Sequence, residues 1–142
     1  GDPHFRKITD AVHEEGALIL QQLYHVGQHG DADNSYHPNW SPSGMPSYHD
    51  SDGSHSMTEA EIEETIEGFV QAARRCWESG FDGVEVWAAY HGIVDQFWTP
   101  WSNRRDDQWR DAGKSDPFFK GNHHPYPKAL RRRFHHRYFR QR

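Results

Sequence analysis

Four aromatic residues, Trp87, Tyr90, Trp98 and Trp101, crowd one short stretch of this chain. Indole and phenol faces attract cations through the ring quadrupole, worth about 0.5–2 kcal/mol per contact. Tertiary amines and quaternary ammonium groups are suitable guests. Packing in the interior of a fold is the other role open to the same rings. Further upstream stand Gln22, whose amide both donates and accepts, and His25, an imidazole suited either to a functional contact or to a packed, hydrogen-bonded place.

The remaining chemistry-bearing residues point less far. Cys76 is the single cysteine, which excludes an intrachain disulfide and a cysteine-only metal cluster. His123-His124 and His135-His136 can capture stray zinc or nickel. A defined zinc site needs a set geometry and supporting partners, and the sequence gives no sign of them, so no metal site is expected. Arg131-Arg132-Arg133 with Phe134, Tyr138 and Phe139 offers charge and stacking surfaces for a nucleic acid. Such binding would weaken steeply with salt. No signal peptide or long apolar run is present, so the expectation is a cytoplasmic protein with no membrane partner.

The elements that must position these residues follow from periodicity. Phe5, Ile8, Ala11 and Val12 recur at helical spacing between Pro3 and Glu15, with Gly16 as a stop. Ala17-Leu18-Ile19-Leu20 reads as a buried parallel strand leading into Gln21-Gln22-Leu23-Tyr24-His25. From Val26 to Ser56 runs a loop rich in Gly, Ser, Pro, Asp and His, read as a functional lid or as disorder. Thr58-x-x-Glu61 is a capping box ahead of a helix whose apolar face is Ile62, Ile66, Phe69, Val70, Ala73 and Cys76. On that face Cys76 packs. Gly80 ends the helix and Val84-Glu85-Val86-Trp87 forms the next strand. Helix, strand, loop, helix, strand is the alternation of a parallel α/β fold. Neither strand is followed by a Gly-rich turn, which weakens a dinucleotide-binding reading.

Composition divides the chain. Hydrophobic content is 34% and mean hydropathy −1.07, low for a chain that must bury its own core. Residues 1–109 hold 6 Lys+Arg against 19 Asp+Glu, a net of −13, whereas residues 110–142 hold 10 against 2, a net of +8. Such a shift marks a boundary between different kinds of sequence.

Three motifs within residues 5–109 carry a family resemblance: Gln22-Leu23-Tyr24-His25-Val26-Gly27, Gly80-Phe81-Asp82-Gly83-Val84-Glu85-Val86, and Asp95-Gln96-Phe97 followed by Pro100 and Asn103-Arg104-Arg105-x-Asp107. Together they resemble the Old Yellow Enzyme family, the NADH:flavin oxidoreductases. The resemblance implies a (β/α)8 barrel with FMN at the C-terminal ends of the strands, of which this chain supplies about strands three and four. It implies that Gln22 hydrogen-bonds the flavin pyrimidine ring. Many members have two histidines at the end of strand four that hold an electron-poor substrate over the flavin. Here the stretch is Trp87-Ala88-Ala89-Tyr90, and neither ring does what an imidazole pair does. His91 lies beside the pair position.

The aromatic substitution resembles the amine-oxidising branch of the family, with N-methylproline demethylases and trimethylamine dehydrogenase. That branch implies a substrate that is an amine or N-methyl amino acid, held by Trp87, Tyr90, Trp98, Trp101 and His25. Trp87 and Tyr90 are the expected catalytic pair. Oxidation of the C–H bond beside nitrogen would deliver hydride to the flavin and leave an iminium that water hydrolyses. Tyr90 would hydrogen-bond the substrate or assist proton movement. An NAD(P)H-driven ene-reductase is the alternative within the family. NAD(P)H or an iron–sulfur cluster could belong to the parent enzyme, and neither site is encoded here.

After Trp109 the family continues GGSLENRxRF, while this chain continues RDAGKSDPFFK. A shifted reading frame accounts for the change. Residues from Arg110 can be encoded CGG GAC GCT GGA AAA TCG GAT CCG TTT TTC, and one nucleotide later the same bases read GTLENRIRF. Further permitted codons give an amphipathic helix and then an apolar strand, the elements a barrel needs next. The expectation is therefore a partial barrel at 1–109 and a disordered out-of-frame tail at 110–142, with Gly1 pointing to sequence lost upstream. In the family the FMN phosphate site lies near strands seven and eight. The polypeptide by itself is thus expected neither to bind FMN tightly nor to turn over. A small α/β module with a basic nucleic-acid-binding arm is the alternative, and a cooperative thermal transition would favour it.

Overall fold

The computed structural model describes residues 1–31, 35–48 and 53–111. The expectations for the tail fall on residues 112–142 and lie outside this range. The described residues divide into two compact units, one of residues 1–25 and 59–87 and one of residues 26–31, 35–48, 53–58 and 88–111.

In the first unit, helix α1 (Pro3–Glu14) starts where the Asp2 side chain accepts the His4 N–H at 2.8 Å and Pro3 presets the backbone. Strand β1 is Leu20–Leu23. The expected strand at Ala17–Leu20 is thus displaced by three residues toward the C-terminus. The cause is local: Ala17 N–H still closes helix α1 through Val12 O at 3.2 Å. Ladder pairing begins only where the partner strand does, at Leu20 opposite Gly83. Nor is the apolar run covered on both faces, since Leu18 is 79% and Leu20 63% exposed.

The first unit's long helix, Glu59–Glu78, buries Ile62, Ile66, Val70 and Cys76, four members of the expected apolar face. Burial pushes the Cys76 thiol up from its usual range, in keeping with a packing role. Gly80 follows with φ +91°, and a Cβ there would lie 2.7 Å from Thr9 Oγ1. Glycine is required on both counts. Thr9 itself is buried and donates to Ser79 O at 2.8 Å, which fastens α1 to the turn. Phe5 meets Phe81 edge-on at 5.7 Å.

The turn leads into the strand Gly83–Val86, which pairs in parallel with β1 so that Gln22 lies opposite Glu85. The ladder continues one step further, Trp87 N–H donating to Leu23 O at 2.9 Å. Asp82 fixes the start of both strands, its Oδ2 accepting from Ile19 N–H at 2.8 Å and bonding His13 Nε2 at 2.9 Å.

The second unit gives structure to the expected long loop. A 3-10 turn covers Gly27–His29. Two-residue strands β2 (Trp40–Ser41) and β3 (His55–Ser56) pair in parallel, and the strand Gly83–Val86 of the first unit is accordingly β4 in chain order. Met57 is buried behind the bridge and donates to Ser41 O at 3.0 Å. The unit's short helix is Ile93–Trp98; it is α3, and the long helix is α2. The Asn103-Arg104-Arg105-x-Asp107 motif works here as a backbone clamp. Asn103 Nδ2 donates to Phe97 O at 2.8 Å and Trp109 O at 2.9 Å. Arg105 Nη1 donates to Pro42 O at 2.8 Å and also to Met57 O, while its Nε engages Asp107 at 2.9 and 3.0 Å. Among the described residues no helix is long and apolar enough to cross a membrane.

Candidate functional site

Side chains alternate along a strand, and partners in a parallel ladder share a face. Gln22 and Glu85 therefore project from the same face of the β1–β4 pair, and both are exposed. Gln22 Nε2 donates to Glu85 Oε2 at 3.0 Å. One end of the amide is thereby fixed, while its Oε1 takes no partner among the described residues. Tyr24 and Trp87 come next on the two strands, and their rings meet edge-on at 6.0 Å. His25 closes the strand, and burial pushes its imidazole down from the usual range. It is held toward the neutral form, which can accept as well as donate.

The residues present fit the edge of a flavin ring. An oriented amide with an open acceptor oxygen matches the N–H of a pyrimidine-type ring edge. Gln22 stands at the C-terminal half of a parallel strand, where barrels place cofactors. The partner Glu85 was not singled out from sequence; the parallel register alone brings it to Gln22.

The other expected substrate residues belong to the second unit. Tyr90 has φ +48° and is 81% exposed. Trp101 is 57% exposed, and Trp98 is half-buried with an indole N–H that has no partner among the described residues. Trp87 belongs to the first unit. Beside Tyr90, His91 also adopts a left-handed conformation, φ +61°. Two successive non-glycine residues there store backbone strain, which collects at functional loops.

A second group of residues went unnoticed in the sequence. Gln96, buried in α3, accepts the Gln28 N–H at 3.1 Å and donates to Val26 O at 3.2 Å and to His91 O. One side chain thus ties the loop after Tyr24-His25 to the loop after Trp87. The motif containing Gln96 was visible; its bonding was not. Among the described residues no group of three or more His, Cys, Asp or Glu could hold a metal ion.

Paired parallel strands with a helix between them in sequence make a βαβ unit, the repeating piece of parallel α/β folds. The chain belongs to the NADH:flavin oxidoreductase / NADH oxidase family, matched over residues 3–115. It is 40% identical over 108 residues to the N,N-dimethylglycine/sarcosine dehydrogenase of Chromohalobacter salexigens, covering 75% of this chain and 16% of the relative. It is 38% identical to the NADPH dehydrogenase of a Geobacillus species, covering 82% and 33%. The probable N-methylproline demethylase of Rhizobium meliloti is also 38% identical, with 73% and 15% covered. Among solved structures, an Old Yellow Enzyme homologue from Zymomonas mobilis superposes with a TM-score of 0.67 at 31% identity, covering 74% of this chain and 32% of that one. The chain therefore spans about a third or less of each relative's length.

Proposed function

We propose that this chain supplies the third- and fourth-strand segment of an FMN-dependent oxidoreductase that oxidises an N-methyl amine or N-methyl amino acid. The carrying observation is Trp87-Ala88-Ala89-Tyr90 at the end of β4, with the Trp87 ring braced edge-on by Tyr24 at 6.0 Å. Aromatic faces suit a cationic nitrogen. The names of two relatives, a dimethylglycine/sarcosine dehydrogenase and a probable N-methylproline demethylase, support that substrate class.

FMN, when bound, supplies a two-electron acceptor for the C–H bond beside nitrogen. Gln22 would hold the ring edge through its Oε1, with Glu85 fixing the amide. The Trp87 face of the first unit would receive a cationic substrate nitrogen; Tyr90, in the second unit, would offer a hydroxyl donor. His25, kept neutral, leaves the cation site without a competing positive charge. The 142 residues by themselves are inactive in this reading, because two paired strands do not close a barrel.

A second reading, an NAD(P)H-driven reductase of activated double bonds, is favoured by the identity to the Geobacillus NADPH dehydrogenase. A chimera separates the two. Residues 3–109 replace the matching segment of the Chromohalobacter dehydrogenase, and both reactions are assayed. Retained oxidation of N,N-dimethylglycine without enone reduction is expected. Enone reduction with loss of amine oxidation would sink the proposal.

A further inference from the structure

Strand β1 pairs on one side only: among the described residues its sheet holds β1 and β4. The odd-numbered residues face β4. Ile19 O accepts the Asp82 N–H at 3.0 Å, Leu23 O accepts the Trp87 N–H at 2.9 Å, and the Ile19 N–H goes to Asp82 Oδ2 at 2.8 Å. The backbone groups of successive strand residues point to opposite sides, so the N–H and C=O of Leu18, Leu20 and Gln22 face outward. Gln22 O accordingly accepts the Gln21 side-chain amide at 3.0 Å and no strand neighbour. We propose that this edge is a self-association surface. A second copy of the chain pairs with it antiparallel about a two-fold axis, with Leu20 opposite its own counterpart.

Four observations carry it. First, the register is self-complementary. With Leu20 on the axis, Leu18 faces Gln22 of the copy, and all the outward groups of these three residues find partners. Gln22 O then exchanges the Gln21 amide for a backbone N–H. Second, Leu18 and Leu20 lie two residues apart on one face, and both side chains are exposed. The ladder neighbour of Leu20 is Gly83, which has no side chain to cover it, so cover comes from the open side, where cross-strand pairs of apolar residues stabilise a sheet. Third, the edge lacks the devices that keep edges apart: residues 16–30 contain no Asp, Glu, Lys, Arg or Pro. Fourth, charge complementarity favours a copy of this same chain as the occupant. Each copy offers a segment of +8, residues 110–142, to a segment of −13, residues 1–109, of the other. Two-fold pairing uses the β1 edge of both copies, so association through this strand stops at the dimer.

The test is sedimentation velocity of the 142-residue chain over a concentration series, with residue-resolved amide exchange by NMR. The expected result is a monomer–dimer equilibrium in which the Leu20 amide gains protection as the dimer forms. Leu20→Lys sets two like charges opposite one another and should raise the dimer dissociation constant about tenfold or more. Trp77→Lys, at another exposed position of the first unit, should leave it unchanged. A cross-link keeps the test independent of the lysine variant's fold. In a Cys76→Ser chain, Leu20→Cys should give a disulfide-linked dimer under mild oxidation. The Cα atoms of a hydrogen-bonded antiparallel pair lie about 5.5 Å apart, within the span of about 4.4–6.8 Å that a disulfide bridges. Trp77→Cys in the same chain should not cross-link. A chain that stays monomeric, equal weakening by the two lysines, or equal cross-linking at the two positions each overturns the surface. A monomer whose Leu18 and Leu20 amides are already protected does so too, because the same chain then covers its own edge. Random-coil shifts over residues 18–23 also overturn it, since no strand then exists to pair.

Discussion

The Gln22 amide donates to the Glu85 carboxylate at 3.0 Å across a register in which the two residues are direct partners. The bond does not need FMN to form, so the amide is oriented before a ligand arrives. In the dehydrogenase chimera, Gln22→Ala should weaken FMN about tenfold, or about 1.4 kcal/mol, the scale of one hydrogen bond. Glu85→Ala should weaken it by a similar factor through loss of orientation. The double variant should be no worse than either single one, since the two residues act as one unit. Flavin fluorescence gives the affinities. Additive losses would show that Glu85 acts independently of Gln22.

Gln96 offers a stability prediction. Removing its side chain strands the buried Gln28 N–H and takes a donor from the Val26 and His91 carbonyls, of which Val26 O keeps the His29 N–H at 3.5 Å; a buried unsatisfied group costs about 1–3 kcal/mol, and each lost hydrogen bond about 1 kcal/mol. Gln96→Ala should therefore destabilise the second unit by about 3 kcal/mol. Gly27→Ala attacks the same contact from the other side. It sets a Cβ 2.2 Å from Gln96 Oε1 at a φ of +63°, and should cost about 1–3 kcal/mol. Urea unfolding followed by tryptophan fluorescence gives both values. Together the two changes should cost less than their sum, because the second removes a contact already lost.

The helices were the most legible part of the sequence, because a 3.6-residue period survives in a single pass. The Ile62, Ile66, Val70 and Cys76 face is buried as read, and Gly80 breaks the chain where a left-handed residue is needed. The first strand was misplaced because Ala17 and Leu18 carry strand-like side chains while the Ala17 N–H still belongs to the helix end. Gln22 was legible as a candidate through its motif. Glu85 and the bonding of Gln96 were not, because register and long-range side-chain bonds leave no periodic trace. The Asn103-Arg104-Arg105-x-Asp107 run was read as a family mark; its bonds to Pro42, Met57, Phe97 and Trp109 give it a physical reason.

Acid should destabilise the chain in two stages. Burial depresses His25, so the folded state resists a proton that the unfolded chain accepts below about pH 6.5. Stability attached to a depressed group is present above the unfolded value and is lost as pH falls. The first stage therefore begins below about pH 6.5. The hydrogen bond from His13 and the Ile19 N–H hold the Asp82 carboxyl below its usual range. Asp107 is held down first by its hydrogen bond to Arg105. Their contribution is present above the unfolded value of about 3.9 and disappears below it, giving the second stage. Urea midpoints measured from about pH 8 down to about pH 3 should show both stages. His25→Asn should remove the upper stage and Asp82→Asn should reduce the lower one. A single transition unaffected by His25→Asn would contradict the assignment.

The charge reversal at residue 110 leads to the last prediction. A net of −13 over residues 1–109 gives way to +8 over residues 110–142, and a barrel requires a helix and an apolar strand after β4 and its loop. The in-frame tail has Leu130 as its one leucine and no Val, Ile or Met, so it lacks the side chains a barrel strand buries. The frame one nucleotide later supplies them under permitted codons. Sequencing the DNA from the Trp109 codon should show LENR, then an amphipathic helix and an apolar strand, in that shifted frame. A polypeptide made in the restored frame should then bind FMN more tightly than the 142-residue chain, provided the frame continues through the strands that hold the phosphate. A shifted frame without LENR would refute the out-of-frame reading and leave the Arg131-Arg132-Arg133 segment as genuine sequence. Salt-dependent binding of single-stranded nucleic acid would then be its proper assay.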